Sequence, residues 1–114
     1  MSSRLYPDSM TATWLAQRLG IDPALIDAMR RDGELIAVRE AGSTDWFYPS
    51  WQLANGQPLH GIPRVTRAAR EARVDEAGLY RILTARRGLH GGGQVYQLLR
   101  DGREDDVVDL VRAG

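Results

Sequence analysis

The 114-residue chain predicts a mainly α fold with a two-stranded β wing, and three observations carry that expectation. Two short amphipathic helices are joined by a glycine-centred turn, Leu19-Gly20-Ile21-Asp22. The apolar period then changes from helical to extended between Leu35 and Tyr48. Beyond Pro63 the helical period returns and continues to Arg112.

The first nine residues carry turn chemistry (Tyr6-Pro7-Asp8-Ser9) and are expected to be irregular. A first helix is expected over Ala12 to Leu19. Thr11 suits its N-cap, and Gly20 suits the left-handed residue after its end. Met10, Leu15, Ala16 and Leu19 form its inner stripe. Asp22-Pro23 opens a second helix: the Asp caps it, and proline at the first helical position sacrifices no hydrogen bond. It runs to Asp32 and stops at Gly33, with Leu25, Ile26 and Met29 facing inward. Leu35 to Val38 and Trp46 to Tyr48 read as the strands of a hairpin about the Ala41–Asp45 turn, closed by Pro49. Two strands alone are marginal, so the hairpin must lean on the helices. Ser50 to Leu53 reads as one helical turn and Asn55-Gly56-Gln57-Pro58 as a loop. Four further helices follow, from Pro63 to near Arg73, Glu76 to Arg87 behind an Asp75 cap, Gln94 to Arg100, and Arg103 to Arg112. A glycine-rich break falls over Leu89 to Gly93. This order is the plan of a winged helix-turn-helix (residues 1–60) with a C-terminal helical unit (residues 61–114) packed on it.

Composition narrows the function. With no cysteine, a disulfide scaffold, a thiol nucleophile and a thiolate zinc site are excluded. No metal site is expected from His60 and His90, some thirty residues apart. No nucleophile motif or phosphate-cradle context occurs: Gly91-Gly92-Gly93 follows no strand and precedes no Lys-Ser/Thr. An enzyme is therefore not expected, nor any cofactor. No apolar run suits a membrane span or a leader, and a cytoplasmic protein is expected.

All 15 basic side chains are arginine, against 15 acids, so no general basic field draws in a polyanion. The charge is nonetheless unevenly placed. Residues 1–60 carry −2 and residues 61–114 carry +2, with +4 between Arg64 and Arg87. Glu104-Asp105-Asp106 sits where acids favour a helix N-terminus, and could also meet a basic partner.

Met10 to Pro49, from Met-Thr-Ala-Thr-Trp-Leu-Ala-Gln-Arg-Leu-Gly-Ile through Arg-Asp-Gly-Glu-Leu-Ile-Ala-Val-Arg to Trp-Phe-Tyr-Pro, resembles the winged helix of MerR and excisionase-type proteins. The longer run from Leu19-Gly20 through Arg31-Asp32-Gly33, Ala37-Val38-Arg39 and Ala41-Gly42 to Gly56-Gln57 and Ile62-Pro63 is similar to small actinobacterial winged-helix DNA-binding proteins that are serine/threonine kinase substrates. Leu89-His90-Gly91 to Leu98-Leu99-Arg100-Asp101-Gly102 resembles the toxin-binding domain of Xre/MbcA/ParS antitoxins, without that family's proline near Gln94 and Val95.

These resemblances imply a non-catalytic DNA-binding protein, a transcriptional regulator that reads duplex DNA with helix 22–32 and the 35–48 wing. Arg30 and Arg31 are then the duplex contacts on the reader helix. Arg39, Ser43 and Thr44 hold the wing on the backbone, and Thr11 and Thr13 donate to phosphate unless Thr11 is only a cap. The early outward sites of the reader are poor tools: Pro23, Ala24, Asp27 and Ala28. Asp27 repels phosphate unless it accepts from a cytosine amino group. Few phosphate contacts and a shallow salt dependence are therefore expected.

The alternative is an antitoxin-like or adaptor module that binds protein through residues 64–114, with Trp14, Arg64 and Arg67 as contacts. Trp14 is expected to be covered by Tyr6 or the C-terminal helices, failing which it is an exposed anchor. Arg64, Arg67 and Arg70 add duplex contacts if their helix lies beside the wing.

Overall fold

The computed structural model describes residues 6–87 and 93–114; the expected glycine-rich break and His90 lie largely or wholly outside them. The chain is mainly helical, with short two-stranded antiparallel sheets. In order it runs β1 (Ser9–Thr11), α1 (Ala12–Leu19), α2 (Pro23–Arg31), β2 (Phe47–Pro49), a 3-10 turn (Ser50–Gln52), β3 (Leu53–Ala54), β4 (Gln57–Pro58), α3 (Ile62–Glu71), α4 (Glu76–Thr84), α5 (Tyr96–Arg100) and α6 (Glu104–Ala113).

The caps of the helix pair are those the residues suggest. The Thr11 hydroxyl accepts from the Trp14 amide, the Asp22 carboxylate accepts from the Ala24 amide, and Gly20 adopts a φ of 69°. The inner face of α2 differs. Ile26 is buried and Met29 is half-buried, but Leu25 is 52% exposed. The third inner position belongs to Arg30, four residues after Ile26 on the same stripe, where Leu25 is rotated about 100° away.

The wing is simpler than a regular hairpin. Val38 and Phe47 exchange both backbone hydrogen bonds at 2.8 Å, and this is an isolated bridge. The regular partner of Phe47–Pro49 is Ser9–Thr11, in the register Ser9 to Pro49, Met10 to Tyr48 and Thr11 to Phe47. The stretch expected to be irregular thus supplies a strand. Ile36 is paired by a side chain instead. The fully buried Gln52 amide accepts from the Ile36 N–H at 2.7 Å and donates to the Ile36 carbonyl at 2.8 Å and the Pro49 carbonyl at 3.0 Å. Asn55 and Gly56, at φ 55° and 75°, turn β3 into β4, where a loop was expected.

Helix α4 is shorter than expected. It ends at Thr84, and Arg86 instead forms a bridge with Gln94. Helix α5 begins at Tyr96, two residues later than its apolar pattern suggests.

Two apolar clusters organise the chain. One gathers Leu15, Ala16, Ile26, Leu35, Ala37 and Tyr48 around the helix pair. The other gathers Ile36, Trp51, Leu59, Ile62, Val65 and the buried faces of α4, α5 and α6. The segment Leu35–Ala37 belongs to both, with Leu35 and Ala37 in one cluster and Ile36 in the other. Trp51 stacks on Tyr96 at 4.7 Å within the second cluster.

Helix α3 fastens the end of α2. Arg70 donates to the Arg30 and Arg31 carbonyls at 3.3 and 3.0 Å, satisfying acceptors that a helix end leaves open. The Thr66 hydroxyl donates to the Gly33 carbonyl at 2.6 Å. Gly33 has a φ of 78°, and a Cβ there would lie 2.8 Å from that hydroxyl, so glycine is required on both counts.

Candidate nucleic-acid interface

The side of α2 away from the cores remains open. Pro23, Ala24, Leu25 and Arg31 are exposed, and Asp27 and Ala28 are partly so. Helix α3 meets the end of α2 through Arg70. Beside α2 lies an open concavity of ≈ 450 Å³ lined by Thr11, Ala12, Thr13, Asp27, Thr44, Asp45, Trp46, Phe47 and Tyr48. The fold therefore brings Thr11 and Thr13 of the first helix together with Thr44 of the wing and Asp27 of α2.

The charges on this face are arranged differently from the expectation. Asp27 pairs with Arg30, and with Arg31 at 3.3 Å. The hydrogen bond from Arg30 holds the Asp27 carboxyl below the usual carboxylate range, against a smaller opposing cost of burial. Both proposed duplex contacts on α2 are thus partly neutralised by their own helix. Arg30 is also only 19% exposed, and its guanidinium lies 4.3 Å from the centre of the Trp46 ring. Arg39 lies over the same ring at 4.7 Å. Trp46 is a platform that fixes two arginines beside α2, a role the sequence pattern did not suggest. Asp27 standing three and four residues before two arginines was the legible signal for the clamp. Beneath it, burial raises the Tyr48 phenol, with Arg30 acting the other way.

The remaining candidates divide. Thr13 and Thr44 are exposed. The Thr11 hydroxyl serves as a cap. The Ser43 hydroxyl accepts from the Asp45 amide at 3.1 Å and is engaged in the wing turn. Arg64 pairs with Glu104 at 3.1 Å and Asp105 at 2.7 Å, which ties α3 to α6. The acidic start of α6 therefore meets a partner within the chain. Arg67 is exposed and makes no ion pair among the described residues. Trp14 is 57% exposed, contrary to the expectation that it is covered. Tyr6 packs edge-on against Tyr80 at 4.7 Å instead, and the Tyr80 hydroxyl donates to Asp8. No helix among the described residues is long and apolar enough to cross a membrane, and none of their His, Asp and Glu side chains cluster in threes as a metal site.

No family model and no curated protein matches the chain. Among solved structures, the NMR structure of Rv2175c is similar, with a TM-score of 0.78 at 21% identity, over 98% of this chain and 85% of that one. The likeness is one of fold, and it extends over the winged part and the C-terminal helices together.

Proposed function

We propose that this is a non-catalytic cytoplasmic DNA-binding protein, a transcriptional regulator of the MerR/excisionase type of winged helix-turn-helix. Residues 1–60 form the DNA-binding unit and residues 61–114 a helical unit packed on it. The observation that carries this reading is the open outer side of α2, flanked by the wing and by the start of α1. In this reading α2 enters a major groove. Arg31 and the Arg30 and Arg39 pair on Trp46 approach the duplex, while Thr13 and Thr44 donate to phosphates.

Asp27 makes the interaction weak and salt-tolerant. With about three phosphates neutralised, affinity falls as the salt concentration to the power of roughly −2.7, which is about forty-fold between 50 and 200 mM. Fluorescence anisotropy against a random-sequence duplex at those two concentrations tests this, with Arg31→Ala as the comparison. Arg31→Ala is expected to weaken binding and flatten the salt dependence. A complex indifferent to both salt and Arg31 overturns the reading.

A second reading, a protein-interaction module, is favoured by two observations. The reader-helix charges are clamped by Asp27, and Trp14 stands exposed as an anchor.

A further inference from the structure

Asp27 stands on the open side of α2 with half of its side chain exposed, yet it is held in place from below. One carboxylate oxygen accepts from Arg30, whose mostly buried guanidinium rests on the Trp46 ring. The other, Oδ2, lies 3.3 Å from Nη2 of Arg31, which is 66% exposed. The hydrogen bond from Arg30 also keeps the carboxyl ionised below the usual range. Each carboxylate oxygen has a lone pair left after one such contact, so Asp27 can still accept from outside the chain. Ala24 and Ala28 lie about 200° round the helix from buried Ile26, on its outermost line. Their small side chains let the neighbouring Asp27 and Arg31 reach the floor of a groove.

A carboxylate repels phosphate but accepts well from the amino group of a base. The helix thus offers an acceptor and a donor side by side, and a C·G pair offers the complementary couple in the major groove. Cytosine N4 donates and guanine O6 accepts, about 2.9 Å apart because the two are themselves hydrogen-bonded. The guanidinium fork also takes guanine N7. An A·T pair likewise sets an amino group beside a carbonyl. There, however, adenine N7 puts an acceptor against the carboxylate, and the thymine methyl meets the guanidinium.

We propose, resting on the duplex-binding reading above, that Asp27 and Arg31 together read one C·G pair: Asp27 accepts from cytosine N4, and Arg31 donates to guanine O6 and N7. Arg30, seated on Trp46, positions the carboxylate. Asp27 lowers affinity for duplex at large and supplies discrimination at one position.

The test is selection on the full chain from a duplex library with a randomised core, followed by anisotropy with the selected duplex. The unaltered chain is expected to enrich a fixed C·G pair, and exchanging that pair for any other should weaken binding roughly tenfold. Selection with Asp27→Asn should move the preference there from cytosine to adenine, whose N6 and N7 an amide engages together. Loss of the charge raises affinity for every duplex alike, so the readout is the ratio between sequences. A melting temperature near that of the unaltered chain shows the variant folded. A duplex with 7-deazaguanine at that pair, which lacks the N7 acceptor, should bind the unaltered chain severalfold more weakly and needs no variant. A selected site with no fixed C·G pair, a preference that Asp27→Asn leaves unchanged, or indifference to 7-deazaguanine overturns the proposal and leaves duplex binding standing. Enrichment of no duplex overturns both.

Discussion

Replacing Gln52 by leucine removes the group that stands in for a strand partner of Ile36. Three backbone groups lose their hydrogen bonds: one N–H at 2.7 Å and two carbonyls at 2.8 and 3.0 Å. The site is fully buried, so water does not replace the amide. A buried polar group left unmet costs about 1–3 kcal/mol, with the N–H at the upper end. The leucine returns part of this through apolar contact, leaving a net loss of ~3 kcal/mol. For a chain of this length that lowers the melting temperature by roughly 12 °C. A small domain typically has 5–15 kcal/mol in hand, so the variant still folds and can be measured. Urea unfolding followed by far-ultraviolet dichroism and by tryptophan fluorescence gives the number. A loss below about 1 kcal/mol at unchanged m-value would show that the amide does not substitute for a strand, and the account of the wing would fail.

Asp27→Asn is expected to tighten duplex binding and to steepen its salt dependence by about 0.9 for each phosphate newly engaged, since Arg30 and Arg31 lose their intrahelical counter-charge; anisotropy at several salt concentrations reads both. Thr11→Ala should cost ~1 kcal/mol of stability by removing the cap of α1, measurable by urea unfolding. Glu104 has its carboxyl held below the ordinary value, first by the hydrogen bond with His60 and then by Arg64. Its contribution is therefore fully present above the unfolded-state carboxylate pKa and is lost as pH falls through the lower folded value, so stability measured between pH 6 and pH 2 should fall less steeply in Glu104→Gln.

Helices and their caps were legible because their signals are local. Thr11, Gly20, Asp22-Pro23 and Asp75 act within four residues of themselves, and each performs the role its chemistry suggests. The strand Ser9–Thr11 was hidden because its partner lies some forty residues on and its own three residues are too few for a period. The Gln52 brace and the Arg70 fastening were hidden for the same reason: a polar side chain gives no sign in sequence of which distant backbone group it will satisfy. Asn55-Gly56 did carry a hairpin signal, since both central residues of such a turn need positive φ. At the interface, Arg30 was recognised as a candidate contact but not as a buried stripe residue, because its burial depends on Trp46 arriving from the wing.

The central claim is that the outer side of α2 meets DNA, and amide-shift mapping of the 15N-labelled chain with a duplex tests it most directly. The account predicts perturbations at Ala24 to Arg31, Thr13 and Thr44, with α6 unaffected. Shifts confined to the C-terminal helices, or none at a duplex concentration that saturates anisotropy, would contradict it.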